Sequence, residues 1–225
     1  MILALALVDW ACAQGDSGRV YGAVGVTSDY RYNGVSYSDG SPALQGYLHW
    51  WRPDGFYAGL WVTGVELDDP DNTSIESDLY AGRHFELGNT RVSVEALYTF
   101  FPDTSTPGPT YDFLQLKVRV ARSFRAFTLG MLSAWTPEAS YASGTAWRAA
   151  IDGAYDIDDH LKVTANVGRR WIERGVDRSY WDLGLIASGQ RLSLDVRYVD
   201  TNLTARECGF AKCGAAVVAT VMWRF

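Results

Sequence analysis

Residues 90–122 set the terms for the whole chain. In TRVSVEALYTF (90–100), Val92, Val94, Ala96, Tyr98 and Phe100 alternate with Arg91, Ser93, Glu95 and Thr99. In DFLQLKVRVAR (112–122), Leu114, Leu116, Val118 and Val120 alternate with Gln115, Lys117 and Arg119. A period of two held over about ten residues marks a β-strand with one apolar and one polar face. HLKVTANVGR (160–169) and RLSLDVRYV (191–199) repeat the pattern cleanly. Weaker versions run at about 20–32, 42–52, 55–66, 74–85, 126–136, 146–156, 179–188 and 214–225, giving twelve expected strands.

The connections carry as much information as the strands. RPDG, ELGNT, SFRA, DIDDH and SGQ follow the even strands, while the odd strands lead into long polar segments such as NGVSYSDGSP, ELDDPDNTS, PDTSTPGPTYD and DTNLTARECGFAKCG. An up-and-down antiparallel barrel with one trimmed and one elaborated rim produces this alternation of short and long. A sandwich with Greek-key crossovers has no reason to. No linker or low-complexity tract divides the chain, so one domain is expected over residues 14–225.

Alternation alone does not say which face points inward. A soluble barrel buries its Val/Leu face, and a membrane barrel turns that face to lipid. No stretch reaches the ~20 apolar residues of a spanning helix, so a membrane location requires a barrel. Three features favour lipid. The segment MILALALVDWACAQG has the apolar run and Ala11-Cys12-Ala13 cleavage pattern of a secretory signal, expected over residues 1–13, although the usual basic start is missing. A buried strand is the alternative there. The strands have the length of a tilted crossing, and aromatics cluster near their ends: Trp50, Trp51, Phe56, Tyr57, Phe85, Phe100, Phe101, Phe124, Phe127, Trp135, Trp147, Tyr155, Trp171 and Trp181.

The polar faces point the same way. They carry Glu76, Asp78, Arg91, Glu95, Lys117, Arg119, Arg148, Asp152, Lys162, Asp195 and Arg197, together with Asp182 and Arg224. A dry core could hold that set only at prohibitive cost, whereas a wet or mutually paired lumen holds it readily. These residues are the candidates for lumen lining, and Glu76, Asp78 and Glu95 are expected to pair with Arg91, Lys117 and Arg119 across adjacent strands. The fold expected is therefore an all-β, transmembrane, up-and-down antiparallel barrel of about twelve strands in a bacterial outer membrane, with both termini periplasmic.

Other chemistries find little support. The net charge of −6 argues against a nucleic-acid partner. Cys208 and Cys213, close together in the last long loop of an exported chain, are expected to form a disulfide. His49, His84 and His160 stand on separate strands or turns, so neither a metal site nor a cofactor is expected. All three fall toward the short-turn rim. Outer-membrane lipid-modifying enzymes instead place a serine and a histidine on the lipid side near the outer rim, which makes an enzyme the remote alternative. Asp68, Asp69 and Asp71 read as a solvated loop, with a divalent cation between loops as the other possibility.

SDYRYNGVSYSDGSPALQG followed by GFYAGLWVTGV, with IESDLYAGRHFELG further on and paired cysteines before a valine-rich last strand, resembles the TorF-type porins, also known as the Gcw_chp proteobacterial outer-membrane proteins. The likeness covers most of residues 20–225 and is most specific in the first third. It departs in NVGRRWIERGVDRSYWDLGL, which is more basic than the family pattern. The resemblance implies an outer-membrane barrel with porin activity and no catalytic residues. The function expected is passive diffusion of small hydrophilic solutes or ions, and the alternative is a non-conducting structural or surface-interaction barrel. Expected partners are outer-membrane lipid and lipopolysaccharide, and the barrel-assembly machinery through a last strand that ends on Phe225.

Overall fold

A computed structural model describes residues 18–105, 107, 110–208 and 212–225; the expected signal segment lies outside them. Twelve strands close a single antiparallel barrel: β1 (Arg19–Thr27), β4 (Ala43–Trp51), β5 (Phe56–Gly64), β6 (Ile75–Leu87), β7 (Thr90–Phe100), β8 (Phe113–Phe124), β9 (Phe127–Thr136), β10 (Ala146–Asp156), β11 (Leu161–Ile172), β12 (Arg178–Ser188), β13 (Leu192–Thr201) and β14 (Ala216–Arg224). Two short strands, β2 (Arg31–Tyr32) and β3 (Val35–Ser36), pair inside the first long loop. Each barrel strand pairs with its sequence neighbours, and β1 closes the circuit by pairing with both β4 and β14. Closure leaves no free sheet edge, which a strand-built membrane protein requires.

The apolar face points out. Val20, Leu44, Val118, Met131, Ile151, Val167, Leu183 and Val217 are all exposed, and they alternate with less exposed side chains, many of them polar, along the barrel strands. In water that continuous apolar surface would be an aggregation hazard; facing lipid, it is the favourable arrangement. Trp50, Phe56, Phe85, Phe124, Phe127, Trp147, Tyr155, Trp171 and Trp181 join it near strand ends. Three aromatics expected in that girdle lie inside instead. Tyr57 is 3% exposed and Phe101 5%, and Trp51 packs against the Tyr57–Tyr80 cluster. Their position in the alternation, not their nearness to a strand end, decides which way they point.

The first strand also differs from expectation. It ends at Thr27, not near residue 32, and residues 28–42 turn into the barrel. The reversal between β2 and β3 is Asn33-Gly34, both at positive φ (51° and 85°), the backbone that a tight two-residue hairpin demands. Asp29, Tyr30, Tyr32, Asn33, Val35, Ser36 and Ser38 of this loop are all buried. Its tyrosines therefore stand in the bore and not at the lipid interface.

The remaining long loops lean on one another at the same rim. Asp69 caps Thr73 through both its backbone N–H (3.0 Å) and its hydroxyl (2.6 Å). Partial burial favours the protonated Asp69 carboxyl, but these donors outweigh it and hold the group below its ordinary range. Asp71 accepts from Ser105 and Asp103 from Ser74, so of the acidic side chains considered for a cation Asp69 braces its own loop and Asp71 ties it to the next. The Cys208–Cys213 disulfide sits in the last loop. Its neighbours hold the first loop: Ser36 N–H donates to Lys212 O (2.8 Å), Arg31 Nη1 to Gly214 O (2.7 Å) and Lys212 Nζ to Asp39 O (2.5 Å). Thiol titration of the denatured protein is expected to rise by two groups after reduction, and an unchanged titre would exclude the bridge.

Candidate functional site

The candidate site is the lumen, and the first loop crosses its long-loop end between two walls of opposite charge. On one wall, Tyr30 Oη donates to Glu76 Oε1 of β6 at 2.6 Å, and Asp78 of the same strand accepts from Thr99. On the other, Arg148 of β10, Arg170 of β11 and Arg178 of β12 surround the Tyr32 ring, with guanidinium carbons 5.6, 5.7 and 5.8 Å from its centroid. Strands β6 and β11 lie nearly opposite in the barrel circuit. The loop thus spans the bore from the acidic wall to the basic one. Arg148 is fixed by Asn33 Oδ1 of the loop tip (3.2 Å) and by Gln115 Oε1 (3.1 Å), and Gln115 in turn donates to Thr136 (3.1 Å).

Toward the short-turn rim the lumen is lined by paired charges. Glu95 and Lys117 face each other across β7 and β8 at 2.8 Å. Arg119 reaches past β9 to Asp152 on β10, and Arg197 binds both Asp182 and Asp195 (2.9 Å to the latter). Glycine makes both reaches possible. Gly130 of β9 stands opposite Asp152, where any Cβ would run into the Arg119–Asp152 pair. A Cβ on Gly184 would come within 2.8 Å of Arg197 Cζ and 3.1 Å of Thr164 Oγ1. Lys162 pairs with Asp156 (3.1 Å) and Arg91 with Glu86, both near the rim. A cavity of about 330 Å³ opens at this mouth among Glu86, Arg91, Arg119, Ser123, Arg125 and Thr128.

The ladder expected from sequence forms only in part. Glu95–Lys117 is the expected neighbour pair, but Glu76 goes to the first loop, Asp78 to a threonine, Arg91 to Glu86 and Arg119 to Asp152. Adjacent-strand pairing is the expectation from alternation alone; the long Arg119 side chain skips a strand because the intervening Gly130 has no side chain. Arg170, Arg178, Tyr32 and Asn33 were missed as lumen residues. The Asn33-Gly34 turn signal and the polar-face parity of Arg170 with Gly168 and Asn166 were there to find them.

An aromatic column fills one side. His49 and His84 both stack on Tyr57, with centroids 5.5 and 4.3 Å away, His49 Nδ1 lies 3.0 Å from Tyr80 Oη, and Tyr57 donates to Glu95 (3.0 Å). Two histidines that look isolated in sequence share one stack. His84 Nδ1 also meets Ser93 Oγ at 2.8 Å. That pair faces the lumen, away from the lipid surface where a lipid-cleaving serine and histidine belong. Among the described residues no three His, Cys, Asp or Glu side chains gather as metal ligands would.

A family model described as a bacterial protein of unknown function, Gcw_chp, matches residues 12–224. The chain belongs to the Gcw_chp family. No curated protein matches it in sequence. Among solved structures, this Gcw_chp barrel is similar to a KdgM porin in complex with disordered oligogalacturonate, with a TM-score of 0.64 at 5% identity over 92% of this chain and 99% of that one. It is similar to an outer membrane channel from Pseudomonas putida F1, with a TM-score of 0.59 at 10% identity over 97% and 98%. Outer membrane phospholipase A from Escherichia coli also matches, with a TM-score of 0.52 at 12% identity over 90% and 89%. At these identities the likeness concerns the closed barrel, a scaffold shared by channels and an enzyme alike.

Proposed function

We propose that this Gcw_chp barrel is a porin-like channel of the outer membrane for small hydrophilic solutes or ions, in keeping with the TorF-type porins it resembles. The observation that carries the reading is a charge-lined interior, with acid and base paired along the wall, inside a surface that is apolar all round. A wall of fixed charges of both signs tunes passage without holding one solute tightly. Glu76, Asp78, Arg91, Glu95, Lys117, Arg119, Arg148, Asp152, Lys162, Asp195 and Arg197 are its lining residues in this reading, and the first loop is its constriction. The long loops face outward and both termini inward, with lipid and lipopolysaccharide around the belt and the last strand offered to the barrel-assembly machinery. A KdgM porin and a Pseudomonas outer membrane channel share this closed barrel, and the lumen-facing position of the His84–Ser93 pair speaks against lipid chemistry.

The buried first loop favours a second reading, a barrel that stays shut. Single-channel recording of the purified, refolded protein in planar bilayers separates the two. Discrete conductance steps above the lipid baseline are expected, and their reproducible absence would defeat the channel. The barrel itself is checked by gel migration. Folded samples are expected to run differently before and after boiling, and identical migration would count against a lipid-embedded barrel.

A further inference from the structure

The arginines around Tyr32 differ from the paired basic residues of the lumen wall. Lys117, Arg119, Lys162 and Arg197 each have a carboxylate. Among the described residues, none lies within ion-pairing distance of Arg148, Arg170 or Arg178, and all three side chains are at least nine-tenths buried. Beside them, Arg148 Nε, Arg178 Nε, Asn33 Nδ2 and Tyr180 Oη are buried with no hydrogen-bond partner. Three of these four are obligate donors and the fourth can donate. Three like charges and a set of unmet donors converge around the π-surface of Tyr32, a weak substitute for an anion. Arg148 has two neutral acceptors, Asn33 Oδ1 and Gln115 Oε1, but burying guanidinium groups without a counter-charge is costly, so the cluster is complete only when an anion arrives.

We propose that Arg148, Arg170 and Arg178 bind the carboxylate group of a solute, in a site that Tyr32 of the first loop occupies until the solute displaces it. The planar Nε–Nη edge of a guanidinium matches the two oxygens of a carboxylate, and the free Nε–H groups of Arg148 and Arg178 supply such edges. Asn33 and Tyr180 add donors at the margin. The inference rests on the channel reading, since the solute class is that of the same lumen. In it, the first loop is both occupant and gate: the ring that leaves the arginines is also the ring that narrows the bore.

The test is calorimetric titration of the refolded full chain in detergent micelles with citrate, inorganic phosphate and sucrose. Saturable binding of citrate and none of sucrose is expected. Arg170→Gln and Arg178→Gln should each weaken citrate binding about tenfold or more, the loss expected when a charged hydrogen-bond donor is removed. Tyr32→Ala should tighten it by freeing the site, which a merely structural tyrosine would not do. Boiled and unboiled gel samples establish that each variant is folded. No saturable citrate binding by either the wild type or Tyr32→Ala would overturn the site, and so would undiminished binding in both arginine variants. Phosphate binding without citrate binding would overturn the carboxylate assignment. Planar-bilayer recording on the same preparations keeps the two ideas apart: citrate binding without conductance upholds the site and defeats the channel, whereas conductance without binding does the reverse.

Discussion

Replacing residues 30–37 with Gly-Ser-Gly is expected to raise single-channel conductance several-fold. Thr27 and Ala43 are directly opposed partners at the ends of β1 and β4, and neighbouring strands lie only about 5 Å apart. A few residues suffice to close that hairpin. The long loop is therefore not needed to connect the strands, and its burial in the bore calls for another account. Its removal takes Tyr30, Tyr32 and Asn33 out of the space between Glu76 and the three arginines. Those wall groups lose their loop partners but gain water in the widened lumen, so the stability loss should be far smaller than the same deletion would cause in a dry core. An unchanged conductance with the barrel intact would show that the loop is not the constriction. The opposite manipulation gives a cross-check: a disulfide tying the loop to the wall should hold conductance at or below the wild-type level.

What the sequence made legible was local. Strands and hairpins follow from period-two patterning and turn length, and both are written in consecutive residues, which is why the order β4 to β14 and the trimmed rim can be read directly. The destination of the first loop is not local. Tyr32 is held by residues more than a hundred positions away on β10, β11 and β12, and nothing in SDYRYNG records that partnership. The Asn33-Gly34 pair did announce a hairpin within the loop, but a hairpin has no preferred direction until it finds a surface to bury. The charge network falls between these cases. Which charges face inward follows from parity; which of them meet depends on register and on gaps such as Gly130, where a pair bridges three strands. The basic segment around residues 169–178, an oddity against the family pattern, supplies the wall that holds the loop.

An arginine placed on the outer surface should be costly in proportion to its depth. Leu183 is the middle residue of β12 and 57% exposed, while Leu44, 74% exposed, sits one residue from the long-loop end of β4. Both point outward and both are leucines, so the chemistry of the substitution is the same and only the position along the barrel differs. If lipid surrounds this face, Leu183→Arg places a charge near the bilayer midplane and should destabilise the folded barrel by roughly 2–4 kcal/mol, whereas Leu44→Arg lies near the interface and should cost about 0–1 kcal/mol. Equilibrium urea unfolding in lipid vesicles measures the two against wild type. A water-exposed surface predicts a different outcome, with both changes close to neutral, because an exposed leucine gains nothing from its surroundings that arginine loses. Equal costs at the two sites would thus place the apolar belt outside the bilayer, and with it the paired charges of the lumen would lose their reason to be inside.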